Sequence, residues 1–273
     1  MCLIAFAINA SARWPLVIAS NRDEFLARPT QPLAVWTSES GQRIVSGQDL
    51  RAGGTWLGAT PAGRVAFVTN VRQAQTPAAA RSRGELVTRW LASSLDGARF
   101  GAELAADSAA YGGFNLVFGD FQRQQWTWAS NQSAAGCGWQ TQTLRPGIYG
   151  LSNAQLDTPW PKTIELKRAL TMALSTVPTN TDSGEQLLQR HLWAALANPQ
   201  RDPEALEDAL SSAFVSSPEH AYGTRSSTLL LASAAQLRDG AQYCNVSIEE
   251  KTYNYNTAPP TLQQHSLCWQ QIS

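Results

Sequence analysis

A chain of 273 residues can bury on the order of 75% of its unfolded surface, and 43% apolar with only 15% charged residues excludes a disordered chain. Twenty-one basic residues balance 21 acidic ones, so no net field exists to draw in nucleic acid or an anionic membrane. With no internal repeat, low-complexity tract or composition shift, the sequence predicts a single domain over 1–273.

The chain opens Met1-Cys2 followed by the apolar run Leu3–Ile8, which reads as a buried strand. Taken alone, Cys2 is ordinarily explained as a small buried thiol. The other reading depends on removal of Met1, which the small second residue permits. Cys2 would then carry a thiol and a free α-amine, a nucleophile and a base on one residue. Cys137, Cys244 and Cys268 complete the set, none of the four in a C-x-x-C pair. A zinc or redox motif is therefore not expected, and the spacing suits a reducing compartment. No basic segment precedes the apolar run and no stretch nears the ~20 apolar residues of a membrane span. A cytoplasmic protein is expected.

Leu16–Ser20 pairs with the first run as a hairpin, and Asn21-Arg22-Asp23-Glu24 follows it as a polar strand end. Such a tetrapeptide is either a solvated loop or the delivery of an Arg and a carboxylate beside Cys2. Pro29 and Pro32 are expected to end regular structure. After a short strand Arg43–Gly47, Gly53-Gly54 implies positive φ or a close backbone approach. Thr55–Thr60 and Arg64–Thr69 form a second hairpin, closed by Asn70-Val71-Arg72. Asn70 is a turn former or a side-chain N–H donor for an oxyanion.

Ser82-Arg83-Gly84-Glu85 has capping-box spacing and predicts a helix to about Ser94, with a second over Ala98–Ala106. Phe114–Gly119 and Gln124–Ala129 form a further hairpin. Gly147–Asn153 is a strand ending in Asn153. Helices are then predicted from Pro159 to about Ser175, from Ser183 to about Ala197, and from Asp202 to about Leu210. Strands return at Ser226–Ala232, at a hairpin turning over Gln236–Gly240 into Ala241–Glu250, and at an edge strand His265–Ile272. The hydroxyl-rich Tyr222-Gly223-Thr224-Arg225-Ser226-Ser227-Thr228 is a candidate site segment. Strands grouped as hairpins imply antiparallel sheets whose outer faces the helices cover, an α+β arrangement. The ten Trp residues suit core packing, and several could line an apolar ligand pocket.

Cys2 opening a strand, Asn21–Glu24 closing the next, and Gly53-Gly54-Thr55-Trp56-Leu57-Gly58 together resemble the NRDE family, named for that tetrapeptide, which includes the transport and Golgi organisation proteins. Thr69–Arg72, Gly150–Asn153 and Tyr222–Thr228 extend the resemblance along nearly the whole chain. It implies an N-terminal nucleophile hydrolase fold, a four-layer αββα sandwich, with distant kinship to bile-salt hydrolases and penicillin V acylases, which cut non-peptide amide bonds. The positions matching that group's catalytic set are Cys2, Arg22, Asp23, Asn70, Asn153 and Arg225. Trp56, Tyr222 and Thr224 are the substrate-binding candidates. The group spaces its Arg and Asp three residues apart, whereas Arg22 and Asp23 are adjacent. Strand neighbours point to opposite faces, so Asp23 and Glu24 are alternative carboxylates. The implied activity is hydrolysis of an amide or ester through a Cys2 thioester, Arg22 and Arg225 lowering the thiol pKa, with a small acyl substrate and no cofactor. The alternative is a non-catalytic carrier for an apolar ligand such as haem, since eukaryotic members are linked to haem trafficking.

Overall fold

The computed structural model describes residues 2–72, 79–133, 136–178, 182–200, 212–235, 242–255 and 259–271. The helix expected at Asp202–Leu210 and the turn at Gln236–Gly240 lie outside them.

Strand β1 (Cys2–Ile8) is buried on both faces, which is why its sequence is a continuous apolar run. Ile4, Phe6 and Ile8 meet Val65, Phe67 and Val117 of an opposing sheet. Leu3, Ala5 and Ala7 pack on Leu166, Leu170, Leu188 and Leu192 of two helices. These helices are α3 (Pro161–Thr176) and α4 (Asp182–Leu196). Around β1 lie β2 (Leu16–Phe25), β10 (Gly147–Leu151), β12 (Tyr222–Ala234), β13 (Gln242–Thr252) and β14 (Thr261–Gln271), in the antiparallel order β10-β1-β2-β12-β13-β14. A two-residue strand, β11 (Ser216–Ser217), pairs with β12.

The second sheet takes its strands in sequence order: β3 (Thr30–Thr37), β4 (Arg43–Asp49), β5 (Leu57–Ala59), β6 (Arg64–Asn70), β7 (Phe114–Asp120), β8 (Gln125–Ser133) and β9 (Gly136–Thr143). Its outer face, with Ala66, Val68, Leu116 and Phe118, is covered by Leu86 and Trp90 of α1 (Arg83–Ala92) and by Phe100 and Leu104 of α2 (Gly97–Asp107). Helix pair, sheet, sheet, helix pair is the four-layer αββα sandwich.

Several local expectations are corrected. Asn21–Glu24 does not leave the sheet: β2 runs to Phe25, paired with β1 through Arg22 and with β12 through Phe25. Regular structure does not end at Pro29 and Pro32. β3 is an edge strand whose register to β4 shifts between Gln31 and Ala34, so the missing N–H of Pro32 costs no ladder bond. β9, the other edge of that sheet, was not anticipated. Pro161, not Pro159, takes the first turn of α3, and α4 begins one residue before Ser183. Only half of the capping box forms: Ser82 accepts from the Gly84 N–H, while Glu85 pairs with Arg81. Most of the Trp count goes to packing, with Trp14, Trp90, Trp126 and Trp269 fully buried. Among the described residues no helix is long and apolar enough to cross a membrane.

Candidate active site

The β1–β2 register sets Cys2 directly opposite Arg22, so the two side chains share one face. Cys2 alternates with Ile4 and Phe6, hence that face points between the sheets. There it meets a cleft of about 130 Å³, lined by Cys2, Arg22, Glu24, Asn70, Trp56 and Arg83 among others.

The pleat of β2 divides the polar tetrapeptide. Arg22 and Glu24 follow Leu16 and Ile18 toward the opposing sheet. Asn21 and Asp23 follow Val17 and Ala19 toward the helices. The Asn21 amide donates to the carbonyls of Leu196 and Ala213, 2.8 Å each, and its oxygen accepts from Ser227, so it is a structural tie. The Arg22 guanidinium lies 4.2 Å over the Trp56 ring, 3.9 Å from Glu24, and donates to the Thr30 hydroxyl. Trp56 is therefore a wall holding Arg22 in place. Glu24 also faces Arg28 at 3.7 Å, and Arg28 makes two bonds to Asp49.

Asp23, on the opposite face, accepts a 2.7 Å bond from the Thr224 hydroxyl, which itself accepts from the Val215 N–H. The Tyr222 hydroxyl donates to the Asp23 carbonyl at 3.0 Å. Thr224 and Tyr222 thus fix Asp23. Toward α3, Asp23 lies within electrostatic range of Lys162, a first-turn lysine only 1% exposed. Burial pushes the Asp23 carboxyl up and the Lys162 ammonium down, each charge partly offsetting the other.

Asn70 ends β6 in the cleft wall, and its carbonyl accepts from Asn153 Nδ2 at 3.0 Å. Asn153 is buried behind that wall, and Ser152 beside it lies 2.8 Å from the Cys2 carbonyl oxygen. Thr69 donates to the Ser152 carbonyl at 2.5 Å and accepts from Asn115, which also bonds Ala154 and Trp128. This network ties the ends of β1, β6 and β10 together.

Arg225 is not brought to the cleft. The register of β12 to β2 shifts between Thr224 and Ser226, and the bulged Arg225 donates to the carbonyls of Phe25, Leu26 and Arg28. It braces the loop after β2. The thiol of Cys2 is not lowered either: burial pushes it up, and Arg22 only partly opposes this.

Two residues whose charges reach Cys2 were missed. Arg83 was read only as part of a cap. Lys162 had a usable signal: it falls in line with Leu166, Leu170 and Ala173, a cation in an apolar stripe.

A first strand that opens on a cysteine inside a four-layer αββα sandwich is the architecture of the N-terminal nucleophile hydrolase fold class. Two solved structures share the fold: a Caenorhabditis elegans N-acylethanolamine-hydrolyzing acid amidase ortholog (TM-score 0.50, 10% identity, 84% of this chain and 92% of that one) and a mutant conjugated bile acid hydrolase from Clostridium perfringens (TM-score 0.53, 8% identity, 98% and 92%). At such identities the likeness establishes the fold alone. Within that class the chain belongs to the Transport and Golgi organisation 2 family, whose model matches residues 1–254. It is similar to the Transport and Golgi organization protein 2 homologs of Bos taurus (33% identical) and Homo sapiens (32%), with 86% of this chain and 89% of each relative covered. The Drosophila melanogaster protein is 27% identical over 85% of this chain and 87% of its own length.

Proposed function

We propose that this cleft hydrolyses a small amide or ester through Cys2, once Met1 has been removed. The observation that carries the reading is the strand pair that sets Cys2 beside Arg22 at the cleft, with Asn70 in its wall and Asp23 fixed one residue beyond Arg22. The α-amine of Cys2, titrating near ~7.7–8.0 in an ordinary peptide, takes the thiol proton as sulfur attacks the carbonyl carbon. Because burial keeps the thiol protonated at rest, transfer accompanies attack. The Asn70 amide holds the tetrahedral oxyanion, a contribution typically worth ~10²–10³ in rate. Collapse breaks the C–N or C–O bond, and the leaving group takes the proton from the α-ammonium. Water then adds to the thioester, the amine again accepting a proton, and the C–S bond breaks to give acid and thiol. Asp23 holds the ammonium, while Glu24 orients Arg22 from the cleft side.

The hydrolase titles of the two structures of similar fold agree with this reading. A carrier for an apolar ligand such as haem gains no support from this cleft. Its walls are polar, and its volume of about 130 Å³ is below the roughly 300–1,000 Å³ of drug-sized ligand pockets.

The test is a panel of small amides and esters, run with protein whose intact mass shows loss of Met1, against Cys2→Ala. Turnover by the wild type alone is expected. Equal turnover by both proteins ends the assignment.

A further inference from the structure

The charges around the cleft do not all have partners of their own. Arg22 faces Glu24, and Arg28 is bound to Asp49. Asp23 borders the cleft as well, but its carboxylate accepts from Thr224 and lies in electrostatic range of Lys162 on the helical side. Arg83 also lines the cleft, yet among the described residues it forms no ion pair with a carboxylate. Its Nε donates to the Gly113 carbonyl at 2.8 Å, which fixes the fork. The guanidinium lies against Gly112, where a Cβ would stand 2.7 Å from one terminal nitrogen. Its place is thus shaped by a glycine and a carbonyl. Glu24 acts on the Arg83 guanidinium across the cleft without forming an ion pair with it, so its terminal nitrogens keep donors to offer an anion entering the cleft. Its planar fork suits a carboxylate, which it can bind through two parallel N–H bonds.

Size narrows the ligand further. A volume of about 130 Å³ gives the cleft room for a carboxylate and a short acyl unit, with the rest of the molecule outside it.

We propose that Arg83 is the specificity residue of this cleft, and that the substrate is an amide or ester of a short acid bearing a free carboxylate that Arg83 binds. This rests on the hydrolase reading for the reaction, but the subsite itself stands on the arrangement of Arg83.

The test compares mono-p-nitroanilides and mono-p-nitrophenyl esters of succinic and glutaric acid with their methyl-ester counterparts, which lack the charge. A phosphonate isostere serves as a third arm. Wild type should favour the carboxylate member in kcat/KM by about 10- to 100-fold, the range of a charged hydrogen-bonded contact. Arg83→Gln should collapse that ratio toward one, and Arg83→Lys should retain part of it. A wild-type ratio near one, a ratio untouched by Arg83→Gln, or preference for the phosphonate would overturn the assignment.

Equilibrium binding of succinate and glutarate to the wild type and Arg83→Gln, by calorimetry against the neutral diamides, separates the two readings. Carboxylate binding that needs Arg83 supports the subsite even if no substrate turns over. No carboxylate binding by the wild type refutes it whatever the hydrolase assay shows.

Discussion

Gly53→Ala and Gly54→Ala probe two different uses of glycine in adjacent residues. Gly53 has φ +75° and nothing within 4 Å of an added Cβ, so alanine there meets only backbone strain, about 1–2 kcal/mol. Gly54 is the reverse case. An added Cβ would stand 2.3 Å from the Gly84 carbonyl carbon and 2.6 Å from its oxygen, where ordinary contact begins at 3.4 Å. Both neighbours are main chain, and the Thr55 N–H already donates to the Gly84 carbonyl at 3.2 Å. The loop and the first turn of α1 must therefore part by roughly an ångström, an overpacking cost of about 1–3 kcal/mol. That turn carries Arg83, so Gly54→Ala should also move a cleft wall while Gly53→Ala leaves it in place. Urea denaturation gives the stability of each variant, and the rate of Cys2 alkylation, followed by peptide mass, reports the cleft. Wild-type stability in Gly54→Ala, or a cleft no more altered than in Gly53→Ala, would refute the close-approach explanation.

The alkylation rate of Cys2 should rise with pH to a midpoint above that of a free thiol. Arg22→Gln should move it higher still, since Arg22 opposes the effect of burial; a midpoint below the free thiol contradicts this. Asp23 gives a pH test of stability. Its folded-state pKa is raised, so its ionisation weakens the fold: stability is greater below the unfolded value near ~3.9 and declines as pH rises through the folded value. Asp23→Asn should therefore gain on the wild type as pH climbs through that window in denaturant melts, and a difference constant with pH would count against the buried charge. Arg225→Ala should cost about 1.5–3 kcal/mol for its charged bonds to three loop carbonyls. Its loss in turnover should be smaller than that of Arg22→Ala, because its guanidinium is tied to the loop after β2 and does not line the cleft.

How much the sequence revealed depended on where the signal was local. β1 was plain because both its faces are buried. Gly53-Gly54 was read as positive φ or close approach, and the structure uses one of each. The polar tetrapeptide left a solvated loop and a site-bearing strand end both open, because polarity alone does not separate solvent from a lined cleft and buried ties. The choice between Asp23 and Glu24 could not be settled from spacing. It depended on the register of β2 against β1, which only the folded pairing fixes. Arg225 was misplaced by a single bulged residue, and Arg83 was invisible because its distance from Cys2 along the chain is closed by packing of α1.

The place of β1 in its sheet has a consequence in time. Its neighbour β2 follows within a few residues, but β10, on its other side, begins only at Gly147. At a synthesis rate of ~5–20 residues per second, that flank stays open for about 7 to 30 seconds after β1 is made. The removal of Met1 that the proposed function requires would have its best access during this interval, while the chain is still on the ribosome. Slowing translation upstream of Gly147 should raise the trimmed fraction in a cell short of that enzyme, as counted by intact mass.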